Sequence, residues 1–123
     1  MLLIDFWYTG CGACMGFHKN FHQRGYPLIK DNKDFVYVSV SIDKQKKTWL
    51  KSVANGDYSS NDYLNLNTEL GVSDPFLKYY ERNAMPFLIL VDKNGKIYSS
   101  RIIPEPKAVV QLINEALNIP YQL

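Results

Sequence analysis

Cys11 and Cys14 are the two cysteines of this 123-residue chain, and only Gly12 and Ala13 separate them. A pair so spaced can hold a metal, anchor a haem, staple a fold or exchange electrons as dithiol and disulfide. Attachment of a c-type haem needs histidine directly after the second cysteine, and Met15 stands there. A structural zinc site needs two more ligands, and only His18 and His22 exist. Along a helix Cys11 and His22 lie about 16 Å apart at 1.5 Å per residue. Bonds near 2 Å cannot span that distance, so no single ion uses all four side chains. A disulfide across two residues constrains little of the unfolded chain, which argues against a staple. Redox exchange is the best-supported chemistry.

The elements around the pair strengthen that reading. Leu2 to Tyr8 is apolar and aromatic apart from Asp5 and short, which predicts a buried strand. Thr9-Gly10 breaks it, and a helix is expected from about Cys11 to Arg24, with Phe17 and Phe21 on its core face and Gly25 as its stop. Cys11 then meets unpaired N–H groups and the positive end of the helix dipole, both of which stabilise a thiolate. Cys14 follows one turn on, so Cys11 is the expected attacking thiolate and Cys14 the resolving thiol.

Lowering a thiol from about 8.5 to about 7 raises its thiolate fraction at pH 7 roughly fifteen-fold, while intrinsic nucleophilicity falls about five-fold. The larger consequence is a thiolate that leaves readily, which tunes the pair as a redox couple.

Two alternatives stay open. One is a binding module whose cysteines are incidental or hold a metal, with His18 and His22 able to bind an ion as an i, i+4 pair. These histidines are expected to be partly exposed helix residues. The other is a peroxiredoxin-like thiol peroxidase using Cys11 near Thr9; its upstream proline is absent, and Cys14 nearby favours disulfide exchange.

Further along, Phe35 to Ile42 predicts a second strand, and Asp43 a cap for a helix with Trp49, Leu50 and Val53 as its apolar stripe. Lys44, Lys46 and Lys47 read as the solvated side of that helix. Asp57 to Val72 is rich in Asn, Ser, Asp and Tyr with weak periodicity, and reads as a surface insertion. Asp74-Pro75 starts a short helix. Pro86 to Val91 is a third buried strand, Lys93-Asn94-Gly95-Lys96 a hairpin turn, and Ile97 to Ile103 a fourth strand. Pro106 opens a last helix with Val109, Leu112, Ile113, Ala116 and Leu117 inward. The order β-α-β-α-β-β-α describes an α/β domain: a mixed four-stranded sheet with helices on both faces.

A net charge of +2 and the lack of a basic run interleaved with aromatics argue against nucleic acid. No apolar run approaches the roughly 20 residues of a membrane span. Asp5 interrupts the opening apolar segment and no small-residue cleavage site follows, so a signal peptide is not expected.

Ile4 to Cys14, IDFWYTGCGAC, resembles the active-site segment of the thioredoxin superfamily, and Met85-Pro86-Phe87 resembles its second signature, a cis-proline before a strand. The residues from about Lys44 to Val72 resemble the insertion of the extracytoplasmic TlpA/ResA-type branch. The resemblance covers essentially the whole chain. It implies a thiol–disulfide oxidoreductase, periplasmic or membrane-tethered through a parent protein, this chain being one domain of a longer exported protein. Its implied partners are protein thiols and disulfides and an upstream electron donor; no cofactor is implied beyond the Cys11–Cys14 disulfide, and no metal.

By the same resemblance Cys11 is the nucleophile, Cys14 the resolving thiol, and Asp5 a buried carboxylate that assists proton removal from Cys14. Trp7 matches an aromatic beside the site, and Pro86 the cis-proline whose neighbouring backbone pairs with substrate. Gly10, Ala13 and Met15 depart from the usual Trp, Pro and basic residue, which opens and neutralises the rim. Met85 is expected to present an apolar wall to the pair.

Overall fold

The computed structural model describes residues 1–122. Strand β1 (Leu2–Trp7) is followed by helix α1 (Gly12–Arg24), strand β2 (Val36–Ser41), helix α2 (Lys46–Asn55) and strand β3 (Leu64–Asn67). Helix α3 (Pro75–Tyr79), strands β4 (Phe87–Val91) and β5 (Ile97–Ser99) and helix α4 (Pro106–Leu117) complete the chain. The sheet order is β3-β2-β1-β4-β5. β1, β2 and β3 run parallel, and β4 and β5 alternate antiparallel beside them.

Successive strand residues face opposite sides of the sheet. Leu3 packs with Phe17 and Phe21 of α1 and with Val109 and Ile113 of α4. On the other face Phe6, Val38, Val40 and Ile89 pack with Leu77 of α3 and Trp49 and Val53 of α2. Asp5, two residues from Leu3, therefore shares the face that α1 covers, paired in register with Ser39 and Leu88.

Several sequence expectations need correction. The sheet has five strands, because β3 lies inside the segment read as a surface insertion. Its inward residues are Asn65 and Asn67 while Leu64 and Leu66 are exposed, the reverse of the apolar alternation that marks a half-buried strand. Side-chain amides take over the anchoring: Asn67 Nδ2 donates to the Ser41 and Asp43 carbonyls at 3.1 and 2.9 Å. Asp43 is not the cap of α2, whose N-cap is Gln45 without a side-chain bond. Leu50 is exposed, so that helix buries a narrower stripe of Trp49 and Val53. β5 ends at Ser99 rather than Ile103. Gly25 does follow α1 but with a negative φ of −105°. A Cβ there would meet the Phe21 ring at 2.6 Å, so space rather than handedness requires the glycine.

The helix starts around Pro75 and Pro106 match expectation. Asp74 accepts from the Phe76 and Leu77 amides, and Glu105 accepts from those of Lys107 and Ala108. Each satisfies N–H groups that a helix start leaves unpaired.

Candidate active site

Cys11 is the N-cap of α1 rather than its first residue, in extended backbone at φ −79° and ψ 104°. That conformation turns its sulfur back over the first turn, where it accepts from the Cys14 amide at 3.1 Å. The two cysteines are joined in a disulfide with Cα atoms 5.3 Å apart. Cys11 Sγ also lies 3.6 Å from the Met85 carbonyl oxygen, and the Met85–Pro86 peptide is cis. A contact between residues 74 positions apart thus brings the two signatures of the sequence into one site.

The loop before the pair is braced by side chains distant in sequence. The Thr9 amide and hydroxyl donate to the two Asp43 carboxylate oxygens at 2.9 and 2.7 Å. The Gly10 amide donates to Tyr58 Oη at 2.8 Å. Tyr58 in turn stacks on Trp7, ring centroids 5.0 Å apart and planes nearly parallel. Trp7 is buried and donates its indole N–H to Ser39 Oγ at 2.7 Å. It supports the loop from below and offers no surface to a substrate. Gly10 has φ +98° and open space where a Cβ would be; backbone handedness, not crowding, is what disfavours a side chain there.

The pair is less open than expected. Cys11 is 4% and Cys14 3% exposed, because Met85, Phe76 and Tyr80 pack into the same cluster. Met85 is itself buried in the cluster that holds both cysteines. The rim stays reachable, since Gly10, Gly12, Ala13 and Ala84 are exposed.

Asp5 is 2% exposed in the middle of the central strand. Its Oδ2 accepts from the Tyr37 hydroxyl at 2.7 Å, while Oδ1 is buried without a partner. Burial raises its pKa from 3.8 to about 7, opposed by the Tyr37 hydrogen bond. His18 is buried, contrary to expectation, with Tyr63 edge-on at 5.9 Å. Burial, and then the neighbouring His22, push its pKa down to about 4. His22 is half-buried and shares a 2.6 Å hydrogen bond with Tyr63.

Among the described residues no three His, Cys, Asp or Glu side chains converge on a point that could hold a metal. A cavity of about 530 Å³, lined by Asn20, Arg24, Leu28, Glu105 and Lys107, sits at the far end of α1 from the cysteines. Tyr37, Tyr58, Ser39 and Asp43 are site supports that motif reading did not find. Their partners lie 32 to 48 residues away, so the fold alone assembles them.

Fold and site together define a thioredoxin fold carrying a Cys-x-x-Cys disulfide at a helix start. Residues 1–97 match the model of a family described as thioredoxin-like, and the chain belongs to that family. No curated protein sequence matches it.

Among solved structures it is similar to a Bacteroides vulgatus protein described as a candidate thiol-disulfide oxidoreductase. That one is 29% identical with TM-score 0.72, over 93% of this chain and 72% of the other. The thioredoxin domain of another B. vulgatus thiol-disulfide oxidoreductase is 24% identical with TM-score 0.73, over 95% and 79% of the two chains. A thiol-disulfide oxidoreductase from Bacteroides fragilis is 22% identical with TM-score 0.75, over 94% and 80%.

Proposed function

We propose that the chain is a thiol–disulfide oxidoreductase acting on protein substrates. The observation that carries this reading is Cys11 at the helix start, its sulfur receiving the Cys14 N–H and facing the carbonyl before Pro86. On reduction the same N–H is available to a Cys11 thiolate, stabilising charge where attack requires it.

Cys11 thiolate attacks one sulfur of a substrate disulfide, forming a mixed disulfide and releasing one substrate thiolate, which takes up a proton. Cys14, deprotonated, attacks Cys11 Sγ, closes the protein disulfide and releases the second substrate thiol. Two electrons pass from protein to substrate, and a dithiol donor restores the pair. Asp5 assists removal of the Cys14 proton: it is a carboxyl titrating near neutrality on the sheet face beneath the helix that carries that cysteine. Met85 and Pro86 present backbone to the substrate, Gly10 leaves the approach open, and Trp7 fixes the loop.

An extracytoplasmic place of action, with this chain as one domain of a longer exported protein, is supported by its likeness to the TlpA/ResA-type branch. No described helix is long and apolar enough to cross a membrane.

A Cys14→Ser variant should accumulate mixed disulfides with partner proteins through Cys11, and Cys11→Ser should accumulate none. Absence of trapped partners, together with no disulfide reduction by the wild type, would defeat the proposal.

A further inference from the structure

Pro86 borders the cysteine pair and also lines an open groove of about 330 Å³ between the α3–β4 connection and the segment after β5. Its apolar floor and wall come from Phe87, Leu88, Ile102 and Ile103. Its only charged lining residues are Arg82 and Arg101. Glu81 and Glu105 neighbour lining residues in sequence but do not line the groove themselves, so its lining is net positive.

Arg82 is held in place before any partner arrives. Its guanidinium carbon lies 5.0 Å from the centroid of the Phe87 ring, and Nη2 donates to the Ser100 carbonyl at 3.4 Å. An arginine fork carries five N–H donors, so this single bond leaves others for a ligand. A side chain already ordered loses less freedom on binding. Arg101 is exposed, and its amide donates to Ser99 Oγ at 3.3 Å in a local turn.

We propose that this groove selects partner proteins carrying acidic residues beside their disulfide, and that Arg82 and Arg101 are the residues that read this charge. The inference rests on thiol–disulfide exchange at Cys11 and adds which disulfides are preferred. An extended segment running past Pro86 places its apolar side chains on Phe87 and Ile102 and its carboxylates against the guanidinium groups. A lysine in the same place is repelled, so the groove discriminates by both attraction and exclusion.

The test uses pre-reduced protein and three disulfide-bonded peptides that differ only in flanking Asp, Ser or Lys, with peptide thiol release followed in a single turnover. In each exchange the Cys11–Cys14 dithiol is oxidised to its disulfide while the peptide disulfide is reduced to two thiols. Wild type should prefer the Asp peptide over the Lys peptide about ten-fold at low salt, and the preference should shrink toward parity near 0.5 M salt. Arg101→Glu should erase or invert the ratio, and Arg82→Gln should reduce it.

Equal wild-type rates for the three peptides overturn the inference, as does fastest exchange with the Ser peptide or a ratio unchanged in both variants. Hydroxyethyl disulfide, small and neutral, separates the two levels of argument. Exchange with it alongside equal peptide rates sinks only the charge selection, whereas no exchange with any disulfide sinks the underlying function too.

Discussion

The Tyr37 hydroxyl donates to Asp5 Oδ2 at 2.7 Å where both residues are shielded from water. Burial, the Asp5 charge and the shared hydrogen bond all keep the Tyr37 phenol protonated well above its usual range, so Asp5 is the member of the pair that titrates. Two further phenols pack on Tyr37, Tyr63 stacked at 4.0 Å and Tyr26 edge-on at 6.3 Å, and burial raises the pKa of both, so they add no charge at physiological pH. Asp5 thus relies on a neutral donor, not on a cation, to carry charge.

Removing that donor should make Asp5 harder to ionise. A hydrogen bond to a charged group contributes about 1.5–3 kcal/mol, equivalent to roughly one to two pKa units. In Tyr37→Phe the pH dependence of Cys14-dependent resolution should move upward from about 7 by that amount. A carboxyl NMR titration of Asp5 checks the same shift directly; an unmoved profile and titration would show that the bond does not tune the carboxylate.

Stability should record the same group with opposite sense to an ordinary paired carboxylate. The folded pKa of about 7 lies above the reference 3.8, so the folded state binds more protons between those values. Stability is therefore lost as pH rises from about 4 to about 7. Three units correspond to about 4 kcal/mol at the high-pH limit. Asp5→Asn should gain stability relative to wild type across that window, read by denaturant unfolding of the oxidised proteins, while its resolution step slows at pH 7. His18 acts in the other direction: its depressed pKa costs stability as pH falls below its unfolded value of 6.5.

The Thr9 brace predicts coupling between a loop and a distant acid. Asp43→Ala removes two hydrogen bonds from the residue two before Cys11, and should cost about 1–3 kcal/mol of stability. Amide exchange at Thr9 and Gly10 should accelerate more than in the sheet interior. Unchanged protection would mean the carboxylate does not hold the loop.

Asn67→Ala tests why β3 forms. Two carbonyls of the β2 end lose their amide donor, with an expected cost of about 1–3 kcal/mol. Protection should fall first at residues 64–67. A variant with wild-type midpoint and protection would assign β3 to backbone pairing alone.

These residues also mark where sequence reading succeeds and where it stops. Cys11, Cys14, Asp5 and Pro86 are legible because chemistry and chain punctuation coincide there: a strand break, a helix start, a carboxylate inside an apolar run. Asp74-Pro75 and Pro106 are legible because capping is local. β3 is not, since its inward side chains are amides that satisfy backbone carbonyls instead of filling a core. Nor is the burial of His18, whose neighbours Tyr63 and Gly56 arrive from well beyond the helix. Tyr37 carries no motif; its role depends on β2 lying beside β1.

The disulfide spans only three positions of chain at the start of α1. On chain-entropy grounds, closing so short a loop contributes only about 2 kcal/mol. For a domain of this size that corresponds to a melting-temperature change below about ten degrees. Opening the bond therefore takes away a minor share of the roughly 5–15 kcal/mol that holds an ordinary domain together, and the chain can cycle electrons repeatedly without rebuilding itself at each turn.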